Sequence, residues 1–222
     1  MAIGLSSAKI LWGRAGGKCS NPECRADLTK SLEGEQTFHI GEMAHVIAHS
    51  GDGPRGNGSG GSDEYENLVL LCPNCHTAVD KAPNAYPADR MREWKAGREA
   101  EVEAAGEDLT FANVRDLKVQ VTTILWENRE LFFTLGPKSE IAESDPGSDA
   151  FSLWEARKMD TILPNNRRIV NIIERNKPLL EFEDLKSFAR FKVHALAYEK
   201  QQYGRTEYYP TFPEEFEKRF TA

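Results

Sequence analysis

The chain has 222 residues, enough for one or two domains of ordinary size, and it is 40% hydrophobic and 28% charged, as globular proteins are. No apolar run approaches the roughly 20 residues that span a bilayer, and the segment 1–18 lacks the apolar stretch of a signal peptide, so we expect a cytoplasmic protein and not a secreted or membrane protein. The net charge is −7 and neither half carries a polybasic arm, so a role with nucleic acid requires a local site or a partner that supplies positive charge.

Four cysteines, arranged as two pairs, predict a metal site. Cys19 and Cys24 are spaced C-x4-C, and Cys72 and Cys75 are spaced C-x2-C, so each pair lies about one turn apart. In a cytoplasmic chain these spacings favour metal binding, with disulfides as the alternative. Four thiolates fill the tetrahedral shell of a zinc ion. The predicted zinc site is therefore structural, and it closes a loop of about fifty residues.

Between the two pairs the sequence predicts a strand, a loop and a second strand, at residues 41–49, 50–62 and 67–71. The first strand carries His45. The loop contains six glycines and cannot pack a core, so we expect it to be mobile. The second strand opens with Asn67 and leads into a helix from Cys75, in which His76 and Asp80 lie four residues apart on one face.

At these residues the chain resembles the HNH endonuclease family. The motif is His45, Asn67 and His76, within the segments AHVIAHSGDGPRG, ENLVLLCPNCH and CSNPEC. The resemblance covers roughly residues 5–105 and takes in both cysteine pairs. It implies a fold of two antiparallel strands and a helix around one divalent ion, the ββα-metal finger.

The resemblance also implies a role for each motif residue in phosphodiester hydrolysis. His45 is expected to be the general base that takes a proton from the attacking water. His76 is expected to be a ligand of the catalytic metal, and Asn67 is expected either to orient His45 through the loop backbone or to contact the ion. The expected catalytic ion is Mg²⁺ or Mn²⁺, while a histidine ligand also suits Ni²⁺ or Zn²⁺.

One position departs from the family pattern. Many members carry an acidic metal ligand immediately before the first histidine, and here that position is Ala44. Glu42, with the same strand parity as Ala44, and Asp80, on the same helix face as His76, are the candidate replacements. The sequence leaves the choice between these two carboxylates open.

Two further residues are candidates for substrate binding. Arg55 lies in the loop sequence GPRG, where its guanidinium could bind a phosphate or could simply be solvated. His49 could contact a phosphate, although a residue at the rim of the site is the favoured interpretation. Both alternatives remain open at the level of sequence.

The second half of the chain is predicted to be helical. Apolar residues at a period near 3.6 indicate a long helix from Val114 that stops at Gly136-Pro137, followed by a loop over 139–152. Further helices are predicted near 153–162, ended by Pro164, near 169–173, ended by Pro178, and near 181–203. Tail aromatics are expected to dock on this bundle: Tyr208, Tyr209, Phe212, Phe216 and Phe220.

The predicted fold class is therefore α+β, with an HNH nuclease domain and its zinc site at residues 1–106 and an all-α accessory or interaction domain at 107–222. This organisation predicts a metal-dependent endonuclease that acts on DNA, with RNA as the less favoured substrate. The acidic balance favours a partner such as an ATPase subunit. One finger cuts one strand, so a double-strand break requires a homo-oligomer or repeated nicking.

Two broader expectations follow. Small HNH proteins with an extra helical domain resemble effectors of bacterial antiviral or restriction systems, which is an analogy at the level of architecture. The alternative function is a zinc-stabilised module that binds nucleic acid or protein and has lost catalysis. Ala44, where many family members have a carboxylate, is the residue that favours this alternative.

Overall fold

The computed structural model describes residues 3–30, 38–145, 148, 150–204, 208 and 210–221. The chain divides into two compact units, Met1–Val102 (unit 1) and Glu103–Ala222 (unit 2). Unit 1 combines short strands with helices, and the described part of unit 2 is built from helices. The predicted α+β class with a helical C-terminal part is therefore confirmed.

The regular elements of unit 1 follow one another along the chain as α1 Leu5–Ala15, β1 Thr29–Lys30, β2 Phe38–His39, β3 Glu42–His45, β4 Leu68–Leu71, α2 Pro73–Lys81 and α3 Ala88–Glu103. The strands form two antiparallel two-stranded sheets, one of β1 with β2 and one of β3 with β4. The second sheet and α2 contact each other and together make the strand–strand–helix unit that the motif predicts.

The β3–β4 hairpin sets the positions of the motif residues. Its register places His45 opposite Leu68 and Glu42 opposite Leu71, so Glu42 lies at the end of the hairpin where the chain enters α2. All four residues of β4 are fully buried, because both α1 and α2 contact this strand. The burial of β4 fixes the hairpin on the core of unit 1.

Both strands of the hairpin are shorter than predicted. β3 ends at His45 instead of extending to residue 49, because the side chain of Asn67 bonds to the backbone N–H and C=O of Ile47 in place of a strand partner. β4 begins at Leu68, because Asn67 belongs to the 3₁₀ turn Tyr65–Asn67.

Helix α2 begins two residues earlier than predicted. Pro73 suits the first turn, where its missing N–H is not needed. The Sγ atom of Cys72 caps the helix by accepting a hydrogen bond from the backbone N–H of Cys75 at 3.4 Å. The cap therefore joins the second cysteine pair to the helix that carries His76.

Helix α3 packs on the core of unit 1 through Met91 and Trp94. Lys95 is also buried on this helix. Its ammonium donates to the backbone carbonyl of Tyr65 and lies over the ring of the same tyrosine. Burial lowers the pKa of Lys95 to about 8.

The α-helices of unit 2 are α4 Val114–Leu135, α5 Glu140–Ser144, α6 Ala150–Arg157, α7 Leu163–Arg175, α8 Phe182–Tyr203 and α9 Glu214–Phe220. Their core is formed by Leu117, Val121, Ile124, Leu125, Ile169, Ile172, Ile173, Phe188, Phe191, Ala195, Phe216 and Phe220. Within the described part of the chain, no helix combines the length and apolar character needed to cross a membrane.

Two predictions for unit 2 were wrong. The segment 139–152 contains α5 and the start of α6, although Pro146 and Gly147 lie outside the described residues. Pro164 does not end a helix, because a π-helical turn, Lys158–Ile162, leads directly into α7. Pro164 lies in the first turn of α7, directly after this π-helical turn.

The aromatic tail docks only in part. Phe216 and Phe220 are buried, and the ring of Phe216 stacks on that of Phe191 at a centroid distance of 4.2 Å. Tyr208 is exposed, so the expectation of docking was wrong for it, and Tyr209 lies outside the described residues. Phe212, which precedes α9, also docks, because its ring packs edge-on against Phe191 at a centroid distance of 6.2 Å.

Candidate active site

The four cysteines converge at one point in unit 1. Cys19 and Cys24 come from the segment after α1, Cys72 comes from the end of β4, and Cys75 comes from the first turn of α2. Their Sγ atoms all lie within 4.8 Å of one another. The Sγ atoms of Cys24 and Cys72 are 3.8 Å apart, which is much longer than a disulfide bond.

This cluster has the geometry of a metal site. Four thiolates bound to one zinc ion at about 2.3 Å stand about 3.8 Å apart at the corners of a tetrahedron, which matches the Cys24–Cys72 distance. Hydrogen bonds also reach the sulfurs, from the Asn21 Nδ2 to the Cys75 Sγ at 3.2 Å and from the Cys75 N–H to the Cys72 Sγ. Such donors stabilise thiolates that bind a metal.

Without a bound cation, the buried thiols of Cys19 and Cys75 resist ionisation. Burial raises the pKa of Cys75 to about 11 and raises that of Cys19 further. A backbone hydrogen bond from Ala26 lowers the pKa of Cys24. A bound metal reverses the effect of burial, since a coordinated thiol loses its proton.

His45 lies at the end of β3, with 22% of its side chain exposed. Its Nε2 atom is 2.9 Å from the Oδ1 of Asp63, and the same oxygen is 3.3 Å from the Nδ1 of His49. The hydrogen bond with His45 lowers the pKa of the Asp63 carboxyl. One carboxylate therefore holds the motif histidine and the histidine four residues after it.

Asn67 joins the two ends of the glycine-rich loop. Its Oδ1 accepts from the backbone N–H of Ile47, and its Nδ2 donates to the carbonyls of Ile47 and Ser62, each at 2.9 Å. Gly61 packs against this amide so closely that a Cβ atom would lie 2.4 Å from the Asn67 Nδ2. Both N–H bonds of the Asn67 amide are thus used on the loop backbone.

His76 lies in α2 between two carboxylates. Its Nδ1 is 2.5 Å from the Oε2 of Glu42, and its Nε2 is 3.3 Å from the Oδ2 of Asp80. The two carboxylates thus occupy opposite nitrogens of one ring, and each nitrogen can bind only one ion. A single ion bound to His76 at Nδ1 would therefore lie beside Glu42, and one bound at Nε2 would lie beside Asp80.

The motif histidines, the asparagine and their partners all belong to the hairpin, its loop and α2. Residues 30–81 match the family model of the HNH endonuclease. This segment is an HNH domain. Comparison with curated protein sequences gives no significant match.

The matched segment of the HNH domain contains His45, Asn67 and His76, both candidate carboxylates, and the second cysteine pair. Cys19 and Cys24 precede it. The four-cysteine cluster therefore attaches the HNH domain to the segment that follows α1, and this cluster is a metal-binding arrangement.

Arg55 lies inside the HNH domain and is turned away from the solvent, with 4% of its side chain exposed. Its guanidinium donates to the carbonyl of Val46 at 2.9 Å, to the carbonyl of Val79 at 2.5 Å and to the Oδ1 of Asp80 at 2.7 Å. It thus ties the end of β3 to the last turn of α2. Its backbone is in the left-handed region, at φ 58°.

Arg55→Lys is expected to lower the free energy of unfolding by about 2–3 kcal/mol, because an ammonium cannot reach two carbonyls and a carboxylate together. Urea unfolding of the full chain measures this change. Arg92→Lys is the matched control, since Arg92 forms an exposed ion pair with Asp89 that contributes little. Equal unfolding midpoints for the two variants would contradict a structural role of Arg55.

Asp63 contacts both His45 and His49, and sequence reasoning missed it as a residue of the candidate site. It lies 18 residues after His45, at the exit of the glycine-rich loop, and is followed by Glu64 and Glu66. Three acidic residues in four positions give no signal that selects one of them. Only the fold of the loop brings the Asp63 carboxylate to the imidazole.

Proposed function

We propose that the protein is a metal-dependent HNH endonuclease that hydrolyses phosphodiester bonds of DNA. The observation that carries the proposal is the placement of His45 on the hairpin and His76 on α2 of an HNH domain, with Asn67 fixing the loop between the strands. An HNH domain supports a nuclease of this kind and binding of nucleic acid.

His45 is the proposed general base. Its Nε2 is bonded to Asp63, and among the described residues nothing bonds to its Nδ1. A neutral imidazole at a partly exposed strand end can accept a proton from water near neutral pH, which typically accelerates a reaction by about 10²–10⁴-fold. His45 would take the proton of the water that attacks phosphorus.

His76 and one carboxylate are the proposed ligands of the catalytic ion. An imidazole nitrogen with a carboxylate oxygen is a donor set that suits Mn²⁺ or Ni²⁺ and, with more bound water, Mg²⁺. When bound, such an ion neutralises charge on the phosphate and on the departing 3′ oxygen. The four cysteines are proposed to hold a structural zinc ion, as the spacing of their sulfurs supports.

Glu42 is the better candidate for the carboxylate ligand. The guanidinium of Arg55 already occupies Asp80, and a positive charge at that distance repels a cation. Within the described part of the chain, His76 is the partner of Glu42, and no Arg or Lys competes for it. Glu42 also has the strand parity of Ala44, the position where many family members carry their acid.

The proposal also covers the partners and the cellular setting of the protein. The acidic chain supports cooperation with a partner that brings it to nucleic acid, such as an ATPase subunit, in a cytoplasmic antiviral or restriction system. The unit Glu103–Ala222 would bind that partner or position the substrate. Pairs of copies would make double-strand breaks, since one HNH domain has one set of motif residues.

A binding module without catalysis is the second candidate. The observation that favours it is Ala44, which is fully buried and supplies no ligand where many relatives of this family have one. The two candidates differ in one measurable property, the conversion of supercoiled plasmid to nicked circles in the presence of a divalent ion.

Full-length protein is therefore incubated with plasmid and Mg²⁺, Mn²⁺ or Ni²⁺. The wild type is expected to nick. Glu42→Gln is expected to raise the metal concentration for half-maximal cleavage by at least about tenfold, and the matched variant Asp80→Asn is expected to raise it less. A larger effect in Asp80→Asn would assign the ligand to Asp80. Failure of the wild type to cleave with all three metals would favour the binding module.

A further inference from the structure

The contact between Asp63 and His45 adds a residue to the proposed site. We propose that Asp63 is a positioning residue that holds the ring proton of His45 on Nε2, so that Nδ1 presents its lone pair to the attacking water. This inference rests on the proposed function, because it specifies how the proposed general base is prepared. It extends the site by a residue outside the three-residue motif.

The chemistry of the pair fixes the position of the proton. A neutral imidazole carries one N–H and one lone pair, and an ionised carboxylate can only accept hydrogen bonds. Because the Asp63 Oδ1 lies 2.9 Å from the His45 Nε2, that nitrogen must be the donor. The lone pair is then on Nδ1, the nitrogen that is free of partners among the described residues.

The loop gives Asp63 little freedom to move away. The residue before it, Ser62, accepts a hydrogen bond at its carbonyl from the Asn67 side chain, and the residue after it, Glu64, accepts one from the Asn67 backbone N–H at 3.0 Å. The backbone N–H of Gly61 is bonded to the carbonyl of Ala48 at 2.8 Å. Asp63 is thus held between two anchors, and both anchors lead to Asn67.

Through these hydrogen bonds Asn67 can fix the position of His45 without contacting it. Asn67 fixes Ser62 and Glu64, those residues fix Asp63, and Asp63 fixes the imidazole. The sequence suggested that Asn67 orients His45 through the loop backbone. In the proposed arrangement the side chain of Asp63 is the last link between that backbone and the imidazole. The His49 Nδ1 lies farther from the same oxygen, at 3.3 Å, and its side chain is largely exposed, so the bond to His45 is the tighter one.

The direct test is the tautomer of His45. The full-length chain is labelled with ¹⁵N-histidine, and two-bond ¹⁵N–¹H spectra, which distinguish the two tautomers of the ring, are recorded at mildly alkaline pH. His45→Gln assigns the resonances. The wild type is expected to show the Nε2–H form, and Asp63→Asn is expected to populate both forms, because an amide can donate as well as accept. An Nδ1–H form in the wild type would overturn the proposal.

Cleavage kinetics give the second readout. Asp63→Asn is expected to lower kcat by about 10²-fold or more, as loss of an orienting carboxylate does in other histidine-based sites, without changing KM or the melting temperature. Asp63→Glu should recover part of the loss. The matched control is Asp52→Asn, an exposed carboxylate of the same loop, which should leave kcat unchanged. Wild-type kcat in Asp63→Asn would overturn the proposal.

The two readouts separate this inference from the proposed function. If the wild type cleaves nothing, the proposed nuclease activity is wrong, and the tautomer spectrum still shows whether Asp63 controls the His45 proton. If the wild type cleaves and its His45 carries the proton on Nδ1, the nuclease activity stands and the role of Asp63 is wrong.

Discussion

His45→Ala is expected to lower the rate of plasmid nicking by about 10²–10⁴-fold, which is the usual contribution of a general base. The physical reason is that the variant removes the imidazole that is proposed to take the proton of the attacking water at the end of β3. The contact between Arg55 and the His45 backbone carbonyl does not depend on the side chain, so the variant should keep its fold. The measurement is the initial rate of conversion of supercoiled to nicked plasmid at saturating metal.

The control for this variant is His39→Ala, which removes an exposed histidine from β2 of the same unit. We expect His39→Ala to cleave at the wild-type rate and His45→Ala to bind DNA with unchanged affinity, because the base acts on the attacking water. Cleavage by His45→Ala at the wild-type rate would show that another group is the base. Loss of DNA binding in His45→Ala would instead place the imidazole in substrate recognition.

Cys72→Ser is expected to unfold unit 1. A structural zinc site contributes about 10–16 kcal/mol in small zinc-binding peptides, which is comparable with the whole stability of a typical domain, about 5–15 kcal/mol. Serine keeps an oxygen that can cap α2, so the loss reports on the metal and not on the cap. Metal analysis should give about one zinc per wild-type chain and none per Cys72→Ser chain.

The matched control is Asn74→Ser, an exposed position in the first turn of the same helix, which should keep both its zinc and its melting curve. The helices of unit 2 have a core of their own, so part of the helical circular dichroism signal should persist in Cys72→Ser. A melting curve for Cys72→Ser that coincides with that of the wild type would contradict a structural role of the site. Retained zinc with a normal fold would show that three thiolates suffice.

The convergence of the four cysteines and the match to the HNH model could be predicted because their signal is local. Two cysteine pairs, each within one turn, and a histidine directly after the second pair specify their geometry through short stretches of chain. The order of strand, loop, strand and helix follows from apolar runs separated by glycines. The hairpin and helix of the structure agree with this order, although β3, the start of β4 and the start of α2 differ from the predicted boundaries by one to four residues.

Side-chain partners could not be predicted, because they depend on the path of a glycine-rich loop. Arg55 could bind phosphate or solvent as far as the sequence indicates, yet its guanidinium is buried between the end of β3 and α2. Pro164 suggested the end of a helix, but it lies in the first turn of α7, directly after a π-helical turn. The contacts of Arg55 join segments that are distant in sequence. The π-helical turn before Pro164 is a local feature that hydrophobic periodicity does not encode.

The sequence by itself determined the family resemblance, the α+β class and the convergence of the four cysteines, because residue type and short spacing are enough to specify them. The tertiary structure alone decided which carboxylates face which imidazole nitrogens. Glu42 and Asp80 lie on opposite sides of His76, and Asp63 reaches His45, because strand register and loop closure bring together atoms that are up to 34 residues apart. Such distances are set by packing, which a linear pattern does not contain.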